Sequence, residues 1–364
     1  MSGVVIDVAR TLSRAGAGPA TGIDRVERAW IEAALAGRFG PAAFSRRGRA
    51  LDAEAMRALL PAIDGAGPAP APDLRARLSR APALPARLYA AFRRGAARFP
   101  EGSTWLNLGH SDLTPGHVAA ARAAGAARAV VMIHDLIPLE RPDLARPGGA
   151  ERMRARLAAA AAADAILVNS ADTAARLRSR LAAPPPITVA PLGVTARRRE
   201  GAGHGGFVVL GTIEPRKNHA MLLDIWARLG PGAPALHIVG RRGWMNEAVF
   251  ARLDARQAGV IEHGALDDEA AGRLLSGARA LLFPSLAEGY GLPLAEALAT
   301  GVPAFASDLP ALRETGGAAA VYLPAEDAAA WEAAIRAAIA APPPRPAFAA
   351  PTWEAHFRAA EAAL

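Results

Sequence analysis

The chain has no cysteine among its 364 residues. Disulfides, thiolate metal sites and cysteine nucleophiles are therefore excluded together. A reducing compartment fits this. Aromatic residues make up only 5%, and no nucleic-acid recognition motif is present, which argues against a nucleic-acid binder. Long apolar runs are missing too: Leu157 to Ala163 is stopped by Asp164, so nothing reads as a bilayer span. The N-terminus, Met-Ser-Gly-Val-Val-Ile-Asp-Val, lacks a basic segment ahead of a signal core. The expected location is cytoplasmic, with peripheral attachment at the inner face of the plasma membrane kept open. Lysine is almost absent as well. Lys217 stands alone in a chain that otherwise uses arginine.

What is present is a chain 52% hydrophobic with 21% charged residues, long enough for two domains with their own cores. The net charge is +8 and uneven. Residues 1–195 hold 26 arginines against 16 acids, and residues 196–364 hold 16 basic residues against 18 acids. A basic first half beside a near-neutral second half points to an anionic partner for the first.

Short β-branched runs alternate with alanine-rich helical stretches. Strands are expected at Val4–Val8, Ala129–Ile133, Ala165–Val168 and Ile187–Ala190, with a glycine-rich loop after the first and a helix from about Gly22 to Leu35. The second half repeats the scheme with strands Phe207–Leu210, Ala235–Val239, Val260–His263, Ala280–Phe283 and Pro303–Ala306. Such alternation builds parallel sheets with helices on both faces. The expected fold class is α/β, with two doubly wound, Rossmann-like domains. The expected division is 1–192, a polar linker 193–204, and 205–342, with a helix at 352–364 packing back on the first domain.

Doubly wound sheets bind ligands at the carboxyl ends of their strands. Two segments sit there. Gly211-Thr-Ile-Glu-Pro-Arg-Lys-Asn-His219 follows the strand Phe207–Leu210. Arg216 and Lys217 before a helix N-terminus suit a pyrophosphate; a solvated helix start is the plainer alternative. Glu288-Gly-Tyr-Gly-Leu-Pro-Leu-Ala-Glu296 follows the strand Ala280–Phe283. Gly289 and Gly291 allow close backbone approach, Pro293 suits a first helical turn, and two carboxylates can accept from hydroxyls at separate points of a ligand.

These two segments together resemble the retaining GT-B glycosyltransferases of family 4. The resemblance extends to Ile133-His-Asp-Leu-Ile-Pro138, Val168-Asn-Ser170 and Pro191-Leu-Gly-Val194. Thr21-Gly-Ile-Asp-Arg-Val-Glu27 is similar to bacterial members that build polysaccharides, mannosyl- and rhamnosyltransferases above all. It implies transfer of a hexosyl group from a nucleoside-diphosphate sugar, GDP-mannose being favoured, to a saccharide or lipid-linked acceptor.

The resemblance also implies roles. Arg216 and Lys217 neutralise the diphosphate, Glu288 binds the hexose, and Glu296 holds the ribose. Gly289, Tyr290, Gly291 and Leu292 support sugar and phosphate. Gly211, Thr212 and Gly22 complete the donor site with His263 and the loop around Ile261–Leu266, which takes the nucleobase largely through backbone groups, and His134 faces the sugar from the N-terminal domain. No metal and no cofactor are implied; Asp267-Asp268 reads better as a helix cap. Another GT-B reaction, phosphorolysis or nucleotide-sugar epimerisation, is the alternative. Finally, residues 74–98 interleave arginines with Leu74, Leu78, Leu84, Leu88, Tyr89 and Phe92, so docking on an anionic membrane is weighed against an ordinary solvated face.

Overall fold

A computed structural model describes residues 3–16, 18–63, 98–195 and 203–364. The arginine-rich stretch, up to residue 97, and the linker arginines at 197–199 lie outside the described residues.

The chain forms two sheets. The first has seven strands: β1 (Val4–Asp7), β2 (Ala42–Arg46), β3 (Arg49–Asp52), β4 (Thr104–Asn107), β5 (Arg128–Ile133), β6 (Ala165–Val168) and β7 (Ile187–Val189). Their spatial order is β3-β2-β1-β4-β5-β6-β7. All neighbours are parallel except the β2–β3 hairpin. The second sheet has six parallel strands: β8 (Phe207–Leu210), β9 (Leu236–Val239), β10 (Val260–Gly264), β11 (Ala280–Phe283), β12 (Ala304–Ser307) and β13 (Val321–Leu323). Their order is β10-β9-β8-β11-β12-β13.

Strands such as Val4–Asp7, Ala165–Val168 and Phe207–Leu210 are buried throughout, as a sheet covered on both faces requires. The order in which strands are added reverses once in each sheet, between β1 and β4 and between β8 and β11. Both switch points open at carboxyl ends of strands, where a doubly wound fold takes its ligands. The glycine-rich segment after β1 is not simply a loop: Ala9–Arg14 is a short helix, started by the Asp7 carboxylate accepting from the Ala9 amide at 3.0 Å.

The last helix, Trp353–Ala360, packs on the first core and not on the second. Trp30 stacks on Phe39 with centroids 4.9 Å apart and meets Phe357 edge-on at 5.3 Å. His356 sits in the same pocket. The Trp30 indole donates to its Nε2 at 2.9 Å, so Nδ1 carries the proton and donates to the Ala190 carbonyl at 3.0 Å. Burial holds His356 at a pKa of about 4, hence neutral. Emptying this pocket by truncating Phe357 would cost about 3–5 kcal/mol. The chain therefore crosses between the sheets twice, and the crossings touch: the Val194 amide donates to the Pro351 carbonyl at 3.0 Å. Among the described residues no helix is long and apolar enough to cross a membrane.

Candidate active site

A cleft of about 1670 Å³ runs between the two sheets, lined from both. Gly22, His134, Gly211, Thr212, Arg216, Lys217, Glu288, Gly289, Tyr290, Gly291, Leu292 and Glu296 all border it. One expected donor residue does not. His263 faces His237, Nε2 to Nδ1 at 2.9 Å, in a stack with centroids 5.2 Å apart. The register of β10 against β9 shifts between Glu262 and Gly264, and it is Ala265 and Leu266, just beyond, that reach the cleft.

The centre of the C-terminal wall is a four-residue ion cluster. Arg216 and Lys217 lie on a single 3-10 turn, Pro215–Lys217, ended by Asn218 in the left-handed region. The turn directs both cations across the switch point towards Glu288, on the loop after β11. Lys217 Nζ is 2.6 Å and Arg216 2.7 Å from the same Glu288 oxygen. Arg216 also pairs with Glu214 at 2.6 Å and donates to the Ala287 carbonyl at 3.0 Å. Lys217 further sits 4.4 Å from the Phe283 ring centroid, a cation–π contact.

Electrostatics follow from this packing. Burial opposes the Glu288 charge, but Arg216 and Lys217 outweigh it and pull its pKa to about 2. Arg216 is pushed above the ordinary guanidinium range by Glu288 and Glu214 against the same burial. Burial lowers Lys217, and Arg216 adds to this, with Glu288 opposing. Glu288 is thus a fixed anion at neutral pH. It can accept from hydroxyls and cannot serve as a proton donor.

The helix that opens onto the cleft is not the one expected after Lys217. It is Leu292–Ala299, whose Gly291, Leu292 and Pro293 border the cavity. Pro293 carries no N–H, and the Leu294 and Ala295 amides donate to the Gly291 carbonyl at 3.0 and 3.2 Å, so in its first turn only the Leu292 amide lacks a backbone acceptor, at the positive end of the helix dipole. Two glycines make the packing possible. A Cβ on Gly289 would stand 2.2 Å from the His134 carbonyl of the other domain. Gly211, at φ +139°, passes close over the Lys217 side chain.

The N-terminal wall is built on His134 and its neighbours. His134 is 5% exposed and its Nε2 lies 2.7 Å from the Leu108 carbonyl. A carbonyl only accepts, so Nε2 carries the proton and Nδ1 keeps its lone pair. Burial lowers the His134 pKa to about 4. The ring is a neutral hydrogen-bond acceptor at physiological pH and a weak base.

Two expected contacts prove to be interdomain fasteners as well. The Tyr290 hydroxyl donates to the Leu192 carbonyl at 2.7 Å, tying the Glu288 loop to the crossing segment. Arg25, on the helix Gly22–Leu35, bridges Glu296 and Asp268, the latter at 2.6 Å. The surrounding motif accounts for its own spacing. Thr21 and Asp24 form a capping box. Asp24 also holds Arg10 at 2.6 Å. Buried Glu27 accepts from the Thr11 amide at 2.6 Å and from its hydroxyl. Residues that sequence reasoning left out include Glu214 and the arginines bordering the cleft at 10, 14, 146, 152, 156 and 241. Glu214 stood inside a quoted motif; the arginines come from four separate segments that only the fold assembles. Among the described residues no group of three His, Asp or Glu is arranged to hold a metal.

Models of two families match the chain. Glycosyltransferase Family 4 matches residues 42–198, and Glycosyl transferases group 1 matches residues 205–341. The serotype-specific mannosyltransferase WbdA of Escherichia coli is 29% identical over 235 residues, 56% of this chain and 29% of WbdA. The O-antigen chain mannosyltransferase B of Escherichia coli is 32% identical over 139 residues, 37% of this chain and 36% of that protein. These matches therefore span only about a third of either relative's length. In structure, sucrose-phosphate synthase from Thermosynechococcus elongatus superposes with a TM-score of 0.65 at 18% identity, over 94% of this chain and 90% of that one. At such identity the likeness speaks for the fold alone. With a glycosyltransferase model on each half and this fold, the chain belongs to the GT-B glycosyltransferases of group 1 and family 4.

Proposed function

We propose that the enzyme transfers a hexosyl group, with retention, from a nucleoside-diphosphate sugar to a saccharide or lipid-linked acceptor in surface polysaccharide assembly. Mannose is the favoured sugar and GDP the favoured nucleotide. The names of the matched relatives, a serotype-specific mannosyltransferase and an O-antigen chain mannosyltransferase, support the sugar.

One observation carries the reading. Glu288 is an ionised, buried carboxylate held by two cations beside a helix N-terminus, directly across from His134. A departing nucleoside diphosphate gathers negative charge on its phosphate oxygens. Arg216, Lys217 and the Leu292 amide at the start of the helix Leu292–Ala299 would stabilise that charge without reorganising, because they are already fixed in a low-dielectric cleft. Glu288 would accept from the hexose hydroxyls, and Glu296 from the ribose. The neutral His134 would take a hydroxyl of the sugar at Nδ1. We assign no protein nucleophile; the leaving phosphate would help remove the acceptor proton on the same face of the sugar.

Thermal stabilisation by GDP, UDP and dTDP tests the donor class, because a ligand of the native state raises its melting temperature. GDP should give the largest rise. No rise with any of the three would sink the donor site. Proton NMR of the product made from an α-linked donor should show an α linkage; a β linkage would overturn retention.

A further inference from the structure

The charges of the C-terminal wall are already matched: Arg216 and Lys217 face Glu214 and Glu288. The rest of the lining, most of it from the N-terminal domain, is different. Arg10 and Arg14 on the helix Ala9–Arg14, Arg146 ahead of the helix Gly149–Ala161, Arg152 and Arg156 on it, and Arg241 after β9 all border the same cavity. Arg10 and Arg14 share one carboxylate, Asp24, at 2.6 and 3.4 Å. Among the described residues Arg146, Arg152, Arg156 and Arg241 form no ion pair. Arg152 donates to the Pro147 carbonyl at 3.1 Å. The Arg146 guanidinium lies 4.1 Å from the Trp244 ring centroid, and the indole nitrogen of Trp244 is buried without a partner.

These arginines feel one another. Arg156 is lowered from its ordinary range by burial and, against Asp135, by Arg152 and Arg10. Arg241 is lowered by burial and by Arg14 and Arg146. Guanidinium groups stay protonated regardless, so the arc keeps several uncompensated positive charges that repel. Arg152 and Arg156 are four apart on one helix and share a face. Such a surface is unfavourable empty and favourable around an anion. A lone carboxylate would match only one of them. A phosphate or diphosphate presents several acceptor oxygens to several guanidinium forks.

We propose that this arginine arc binds a phosphate or diphosphate group carried by the acceptor. The inference rests on the cleft being a nucleotide-sugar site, since the donor diphosphate is assigned to Arg216 and Lys217. Five of the six arginines come from the N-terminal half, and Arg156 and Arg10 both act on His134, so the anion would sit beside the incoming sugar.

The test is calorimetry on the full chain saturated with GDP, using inorganic pyrophosphate as the probe. A second saturable binding event is expected. The double variant R146A/R152A removes two exposed side chains of the N-terminal domain and should keep the fold. It should weaken pyrophosphate at least tenfold while GDP affinity stays within twofold. R156Q should do the same from the buried side. Absence of pyrophosphate binding to the GDP-loaded protein, or equal binding in the variant, would overturn the proposal. A parallel loss of GDP affinity would also overturn it, assigning the arc to the donor. If GDP itself fails to bind, the donor reading falls separately, and pyrophosphate on the unloaded protein still decides the arc. Geranyl diphosphate and mannose 6-phosphate separate the sources: the tighter one names a lipid carrier or a phosphorylated saccharide.

Discussion

The two walls of the cleft handle charge in opposite ways. The C-terminal wall places two cations and two carboxylates on adjacent loops and neutralises them internally. The N-terminal wall gathers arginines with too few acids, and leaves them facing the cavity. A closed ion cluster is preorganised and costs nothing further when charge develops beside it. An open arc is unsatisfied until something anionic arrives. The difference teaches that one wall is built for a charge appearing during reaction, and the other for a charge brought in with a substrate.

The largest effect should come from breaking the closed cluster. K217A leaves Glu288 paired with Arg216, so the fold should survive and circular dichroism should be unchanged. Turnover, followed as released nucleoside diphosphate, should fall about 10²- to 10³-fold, the loss typical of one fixed transition-state donor. A loss below tenfold would count against Lys217 as a charge stabiliser. At position 288 glutamine is the informative replacement. Alanine strands two buried cations, and breaking a buried pair in that way costs about 3–5 kcal/mol of stability.

The second test weakens the platform of the arginine arc. Glu27 clamps the helix that carries Arg10 and Arg14, through Thr11. Burial raises the Glu27 pKa from 4.5 to about 8, and that of Asp7 from 3.8 to about 7. Both groups therefore hold a proton in the folded chain that the unfolded chain releases. Their contribution is fully present below the unfolded values and is lost as pH rises through 7 and 8. E27Q should flatten the fall in stability between pH 5.5 and 7.5 by about 1.4 kcal/mol per pH unit. Urea midpoints at three pH values measure this; parallel slopes for variant and parent would refute it.

Tyr290 distinguishes a fastener from a donor contact. Y290F removes one buried hydrogen bond, to Leu192, and should lower stability by about 1 kcal/mol. The donor KM should change more than kcat, because the hydroxyl acts on how the domains meet. A collapse of kcat at unchanged KM would return Tyr290 to the transition state.

Much of this was legible in the residues, unevenly. Strands such as Phe207–Leu210 and Ala280–Phe283 announce themselves as short apolar runs, and the motifs after them land at the switch point. β4, Thr104–Asn107, and the β2–β3 hairpin escaped because their polar and apolar residues mix without a clear period. β4 is buried on both faces, Leu106 in one core cluster and Trp105 in the other, which no local pattern reports. Of the loop Ile261–Leu266 that the resemblance implies for the nucleobase, Ala265 and Leu266 reach the cleft, while His263, at the register shift in β10, faces His237. The arc of arginines was visible only as a net charge on the first half. Charge counts carry no direction, and the fold alone decides which guanidinium groups share a cavity.

The smallest effect should come from the link between the walls. Arg25 spans them, reaching Glu296 and Asp268. Its side chain is 30% exposed and Asp268 is 44% exposed, so solvent screens the pairs. Exposed ion pairs of this kind contribute about 0.2–1 kcal/mol each. R25A should therefore leave melting almost unchanged. It should instead loosen the unliganded cleft, seen as a larger radius of gyration by X-ray scattering without donor. GDP affinity should shift less than fivefold, since Glu296 is released from one partner while closure becomes less favourable. If R25A scatters as the parent does, the walls are held together by the remaining links: Tyr290 on Leu192, Ser170 on the Gly289 carbonyl at 2.8 Å, and the Ala171 and Asp172 amides on Glu314. The closed cluster and the open arc would then face each other at a fixed distance before any substrate binds.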